Sequence, residues 1–192
     1  MKYQFINKFM MIAVALVIAG CQFPKIHWPE MEGLVLEEGS KEPIADAVVV
    51  AQWSGHAAGT VGGGTTICFH VAVTKTDESG KYYFPGWDNK GKWKSLSDQN
   101  VWVYAYKSGY GLSDSLGRDA VYIPYFSGTE KDKFELLSTV MRRTGCSSSD
   151  ESVDPTNELR KILYEEVKVL PASITRKKYN GIDWFARMAG VH

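Results

Sequence analysis

The run Val48-Val49-Val50-Ala51-Gln52-Trp53 most restricts what this chain can fold into. It is a continuous, β-branched and nearly all-apolar stretch, which reads as a strand buried on both of its faces. Other runs repeat the β pattern around it. Gly33–Glu38 alternates, and Glu42–Ala47 (EPIADA) forms a turn that leads into the valine run. Ile67–Thr76 (ICFHVAVTKT), the turn Asp77-Glu78-Ser79-Gly80 and Lys81–Trp87 (KYYFPGW) read as a hairpin. The turn is chemically specific: Asp77 can bond its own backbone two residues on, and Gly80 accepts a positive φ. In NVWVYAYKSGY, Val101, Val103 and Ala105 alternate with Trp102, Tyr104 and Tyr106. Short strands are also expected in AVYIPYF and KFELLSTVM, giving about seven between Gly33 and Met141 with turns at close intervals. That is the pattern of a mainly β, Ig-like antiparallel sandwich. Ser54–Thr66 (SGHAAGTVGGGTT) reads as a glycine-rich loop whose role, from Ser54 to Gly64, has no sequence explanation, and Asp88–Gln99 as a charged loop.

After Cys146 the composition turns polar, and Asp154-Pro155 supplies an N-cap followed by proline at the first helical position. Leu159, Ile162, Leu163, Val167 and Leu170 then follow helical spacing, with Arg160, Lys161, Glu165 and Glu166 on the other side and Pro171 as a stop. A shorter helix is expected around Ile182–Met188. The expected organisation is therefore a leader over 1–20, a tether over 21–32, a β-sandwich over 33–145, and a linker with C-terminal helices over 146–192.

The leader explains the chain's address. Lys2 and Lys8 precede the uncharged run Phe9–Ala19, whose eleven residues span only ~16 Å as a helix, about half a bilayer's core. This is the length of a secretory signal core, not of a membrane span. Ile18-Ala19-Gly20-Cys21 follows and resembles the lipobox of bacterial lipoprotein signal peptides. The resemblance implies a diacylglyceryl group on the Cys21 thiol, cleavage before Cys21 and palmitate-type acylation of the new amino terminus. Two or more acyl chains anchor stably, at about 0.8 kcal/mol per buried CH₂. Gln22, where an aspartate often marks inner-membrane retention, favours the outer membrane, facing the periplasm. Residues 22–30, with two prolines, read as an extended tether. Lys plus Arg and Asp plus Glu both number 22, so no bulk charge draws the chain to nucleic acid.

With Cys21 assigned to lipid, Cys68 and Cys146 remain, an even number in an oxidising compartment, and a disulfide is the economical reading. It would close a loop of about 78 residues, worth about 4 kcal/mol in the chain-entropy model. Two buried thiols are the plainer alternative. Metal is the sharper one, because Cys68 and His70 sit two apart and would share a strand face. A closed zinc site wants about four ligands, and the other histidines are only His27, His56 and His192. No metal or other cofactor is expected.

GLVLEEGSKEPIADAVVVA, TKTDESGKYYFPGW and VYAYKSGY together resemble the carboxypeptidase regulatory-like, transthyretin-like domain family. The matching positions are Gly33–Val35, Pro43–Ala47, Thr74–Tyr82 and Gly109-Tyr110. The resemblance covers about 80 residues and departs in the glycine-rich loop and the cysteine-bearing third strand. It implies a seven-stranded transthyretin-like sandwich and no peptidase activity, since in carboxypeptidases this module is an appendage to the zinc-bearing domain.

Enzymatic relatives of that fold fit poorly. Hydroxyisourate hydrolases end in a Tyr-Arg-Gly-Ser-like tail, whereas this chain ends MAGVH. Intradiol dioxygenases hold iron on two tyrosines and two histidines, the latter in a His-x-His, and no histidine lies between His70 and His192 here. No G-x-S-x-G occurs. The expected function is therefore non-catalytic: a cell-envelope lipoprotein that interacts with or scaffolds another envelope protein. The alternatives are a carbohydrate- or peptidoglycan-binding module, or a periplasmic immunity or secretion-assembly lipoprotein. Trp102, Tyr104 and Tyr106 form the candidate binding face, in competition with cover by the C-terminal helix.

Overall fold

In the computed structural model, residues 26–57, 64–89, 96–116, 119–146, 155–175 and 181–191 are described. Cys21, Asp154 and residues 58–63 of the glycine-rich loop lie outside them. Nine strands are present among these residues: β1 (Ile26–Trp28), β2 (Met31–Glu37), β3 (Val48–Ala57), β4 (Thr65–Lys75), β5 (Lys81–Phe84), β6 (Trp87–Asn89), β7 (Ser97–Tyr106), β8 (Ser113–Leu116) and β9 (Ala120–Ile123). Four helices follow, α1 (Glu130–Arg143), α2 (Asn157–Lys168), α3 (Ala172–Thr175) and α4 (Ile182–Met188). The fold is mainly β, with a four-stranded sheet in the order β4-β3-β7-β8, a three-stranded sheet β5-β2-β9 and the strand pair β1-β6.

The valine run occupies the middle of the large sheet and is buried on both faces, as its composition requires. Val49, Ala51 and Trp53 join a core shared with Val35, Tyr82, Phe84, Val121 and Ile123 of the small sheet. Val48 and Val50 point the other way, into a second core with Leu137, Val140, Met141, Leu159, Leu163, Val167 and Phe185 of the helices. β7 divides likewise, with Val103 and Ala105 in the first core and Tyr104 and Tyr106 against the second. The molecule therefore has three layers: small sheet, large sheet, helices.

Several expectations are corrected. KFELLSTVM is helical, not extended. Thr129 caps α1 and forms a reciprocal box with Asp132, and Phe134, Leu137 and Met141 recur at helical spacing on one face. The sheets are not wholly antiparallel, because β2 and β9 pair in parallel from Leu34↔Ala120 to Glu37↔Ile123. Parallel neighbours need a long crossover, and the chain between them supplies one by building the large sheet. The expected tether is shorter than 21–32: Ile26–Trp28 pairs with Trp87–Asn89, and Trp28 stacks on Trp87 at 6.4 Å between ring centroids. The glycine-rich segment is shorter too, since β3 runs to Ala57 and β4 starts at Thr65. α2 begins at Asn157 behind Thr156, whose side chain makes no capping bond.

The motif residues earn their places through backbone closure. The Thr76 hydroxyl donates to the Ile44 carbonyl at 2.7 Å and accepts from the Ala47 amide at 2.8 Å, tying the turn before β3 to the end of β4. Asp77 Oδ1 accepts from the Ser79 and Lys81 amides at 2.8 and 3.0 Å. Gly80 sits at φ +75°, where an added Cβ would lie 2.8 Å from the Val35 carbonyl oxygen.

Candidate contact surface

In the small sheet, alternation sends Val35, Tyr82, Phe84, Val121 and Ile123 into the core and leaves the partners on the opposite face to solvent. That outer face carries Glu32, Leu34 and Leu36 of β2, Lys81 and Tyr83 of β5, and Tyr122 of β9. The register sets Tyr83 opposite Glu32, Leu34 between Lys81 and Ala120, and Tyr122 opposite Leu36. Leu36 and Tyr122 are thus direct neighbours, and Tyr83 lies diagonal to Leu34 at about 7–8 Å, within reach of an aromatic side chain, so the apolar groups follow one band across the face. Leu34 is 38% exposed, Tyr83 49% and Tyr122 40%, and Tyr125, just past β9, is 68% exposed. Only Val169 and Val191 join them as exposed large apolar side chains among the described residues.

Polar groups edge the band. Lys81 Nζ meets Glu32 Oε2 at 2.8 Å, and the Tyr83 hydroxyl donates to Glu30 Oε2 at 2.9 Å. Each bond holds its partner above the ordinary value: the carboxylate beside Lys81 favours its charge, and the carboxylate accepting from Tyr83 favours its proton. Lys41 Nζ lies 4.3 Å from the centre of the Tyr122 ring. A shallow depression of about 360 Å³ opens on this face between Glu32, Gly33, Leu34, Lys81 and Asp119. A second, of about 320 Å³, lies between Glu37, Ser40, Glu42, Pro43, Ile44, Tyr110 and Tyr125, where Tyr125 meets Tyr110 edge to face at 5.7 Å. Aromatic faces flanked by donors and acceptors suit the grip of a protein or a sugar.

The sequence-expected binding face is placed elsewhere. Trp102, Tyr104 and Tyr106 lie opposite Gln52, Val50 and Val48 and therefore share their face, the one covered by helices. Tyr106 is 3% exposed, and its hydroxyl donates to Glu166 Oε1 of α2 at 2.7 Å. Burial and that carboxylate hold the phenol protonated. Glu166 Oε2 is also 3.0 Å from Lys133 Nζ of α1, so the tyrosine anchors two helices and is not available to a partner. Alternation assigned the correct face; an amphipathic cover, not a partner, occupies it. Sequence reasoning misses Tyr83, although the inward pairing of Tyr82 and Phe84 leaves it outside.

Cys68 and Cys146 stand at disulfide distance, with 5.5 Å between their Cα atoms. A bulge decides this pairing. The register passes from Trp53↔His70 to Ser54↔Cys68, leaving Phe69 as the extra residue. Phe69 and His70 consequently both face the first core, His70 stacking 3.9 Å from Trp87, while Cys68 turns to the helix side. The shared strand face proposed for Cys68 and His70 as metal ligands therefore does not exist. Burial lowers the His70 pKa to about 4. No group of three or more His, Cys, Asp or Glu able to hold a metal ion gathers among the described residues, nor is any helix there long and apolar enough to cross a membrane.

No protein-family model matches the chain, and no curated protein matches it. Among solved structures it is similar to the C-terminal domain of the shaft pilin spaA from Lactobacillus rhamnosus GG, at 12% identity over 53% of this chain and all of that domain, with a TM-score of 0.30. A superposition that loose carries no argument about fold family or activity.

Proposed function

We propose that this chain is a non-catalytic lipoprotein of the bacterial envelope, anchored through Cys21, whose transthyretin-like body scaffolds or contacts another envelope protein through the outer face of the small sheet. The anchor reading rests on the lipobox Ile18–Cys21, and Gln22 after it favours the outer membrane, facing the periplasm. The observation that carries the contact reading is the distribution of exposed apolar groups. The helices cover one side of the molecule, while Leu34, Tyr83 and Tyr122 stand together on the other. Contiguous apolar area edged by polar groups marks an interaction site. The surface, not a reacting group, carries the function, and the Cys68–Cys146 staple holds the covering layer in place.

A glycan or peptidoglycan fragment is the second reading, favoured by the depression that sets Lys81, Glu32 and Asp119 beside Leu34 and close to Tyr83. One experiment separates them: crosslinking and affinity capture from native membranes with wild type, Cys21→Ala and a Tyr83→Ser/Tyr122→Ser double variant. The proposal expects one protein partner with wild type, its loss with the double variant, and a lower yield without the lipid. Retention of peptidoglycan fragments by wild type, with no protein captured, would replace scaffolding by glycan binding.

A further inference from the structure

The helical layer is not closed where α1, α2 and α4 converge: a cavity of about 510 Å³ opens between them. That lies within the roughly 300–1,000 Å³ range of small-molecule sites. It sits on the helix side of the large sheet, away from the contact face of the small sheet.

Two chemistries meet in its lining. Arg142, from the last turn of α1, and Arg160, from α2, bring two positive charges, and no acidic residue lines the cavity among the described residues. Arg142 is exposed, with Nη2 3.4 Å from the Thr139 hydroxyl oxygen. Arg160 is half-buried and held in place: Nη1 donates to the Met188 carbonyl at 3.4 Å, and Nη2 lies 3.5 Å from the position a Cβ would take on Gly145. Met141, Met188 and Trp184 supply apolar surface beside these charges. The Trp184 indole is keyed edge to face against the fully buried Phe185, at 5.0 Å between ring centroids.

A guanidinium fork matches a carboxylate through two parallel hydrogen bonds, while thioether and indole surfaces hold an apolar or aromatic body. A phosphate dianion fits less well, because the carbonyl end of α1 stands at the rim. The Met141 and Arg142 carbonyl oxygens are each 3.7 Å from the same Gly145 position, and a helix C-terminus disfavours added negative charge.

We propose that this cavity binds a small carboxylic acid with an apolar or aromatic body, its carboxylate held by Arg142 and Arg160 and its body lying against Trp184 and the two methionines. The site depends on neither the lipid anchor nor the contact face, and its failure would leave both readings standing.

The test follows the indole N–H resonances of the full chain, labelled with nitrogen-15 tryptophan and held in neutral dodecyl maltoside micelles, with Trp184 assigned through Trp184→Phe. The probes are N-acetyl-phenylalanine, its uncharged amide and inorganic phosphate. The expected result is a saturable shift, largest at Trp184, with the acid, and roughly tenfold weaker binding of both the amide and phosphate. Arg142→Gln should lose affinity by a similar factor, and Arg160→Lys, which keeps the charge without the fork, should also weaken binding. Unchanged resonances of the other tryptophans check that each variant is folded. A Trp184 resonance unmoved by millimolar acid, equal affinity for acid and amide, phosphate bound as tightly as the acid, or full affinity in Arg142→Gln would each overturn the site.

Discussion

At the scale of single residues, His70 is the most informative titrating group. Its ring packs 3.9 Å from Trp87 and 4.9 Å from Trp53, and burial brings its pKa to about 4. In the unfolded chain the same imidazole takes up a proton near its ordinary value of 6.5. Between these values the unfolded state binds more protons, so stability falls as pH drops from about 6.5 towards 4 and the loss is complete below that. For a half-buried ring in partial contact with solvent, the loss is at most about 2 kcal/mol. Urea unfolding across this window should show the slope in wild type and a flatter line in His70→Phe; equal slopes would mean other groups carry it. Asp77 and Asp132, held low by hydrogen bonds to Ser79 and Thr129, lose their contribution only at lower pH. The turn chemistry of Asp77 and Gly80 was legible from the sequence because it is local. The side chosen by Cys68 was not, because it depends on one extra residue in β4, and a bulge leaves no mark on hydrophobic alternation.

At the scale of elements, strands with strict alternation or continuous apolar runs were legible, and so were the helices at 157–168 and 182–188. α1 was misread because Phe134-Glu135-Leu136 alternates for three residues before Leu137, Val140 and Met141 reveal the longer period. Thr129 and Asp132 are the signal that would have decided it. β8 is short and polar, and β1 is only three residues long, held by pairing with β6 and by Trp28 packing on the first core, so neither announces itself. Cys146 follows the C-terminus of α1, and the Gln52 side chain donates to the neighbouring Gly145 carbonyl at 3.1 Å, so the staple joins the large sheet to the helical layer. Replacing both cysteines by serine should cost roughly 2–4 kcal/mol. Hydrogen exchange should show α1 and α2 losing protection before β3 and β7. Uniform loss across sheets and helices would mean that the staple does not act on that layer in particular.

At the scale of the whole molecule, the layering decides which surface is available. One face of the large sheet is covered by the small sheet and the other by helices, so Tyr106 of β7 is buried, Trp102 and Tyr104 are half-buried, and the exposed large apolar side chains of the strands lie on the small sheet. Sequence reasoning offers the aromatic strand face of β7 as a candidate for contact and a helix as its competitor. It could not decide the competition, because cover is a property of tertiary packing and not of a strand's own pattern. The most direct test places a photocrosslinking residue in living cells at Tyr83 or Tyr122, and at Val169, which is 79% exposed on the helical side. The account predicts a discrete adduct to one envelope protein from Tyr83 and Tyr122 and none from Val169. Adducts of equal yield from all three positions, or from Val169 alone, would contradict it.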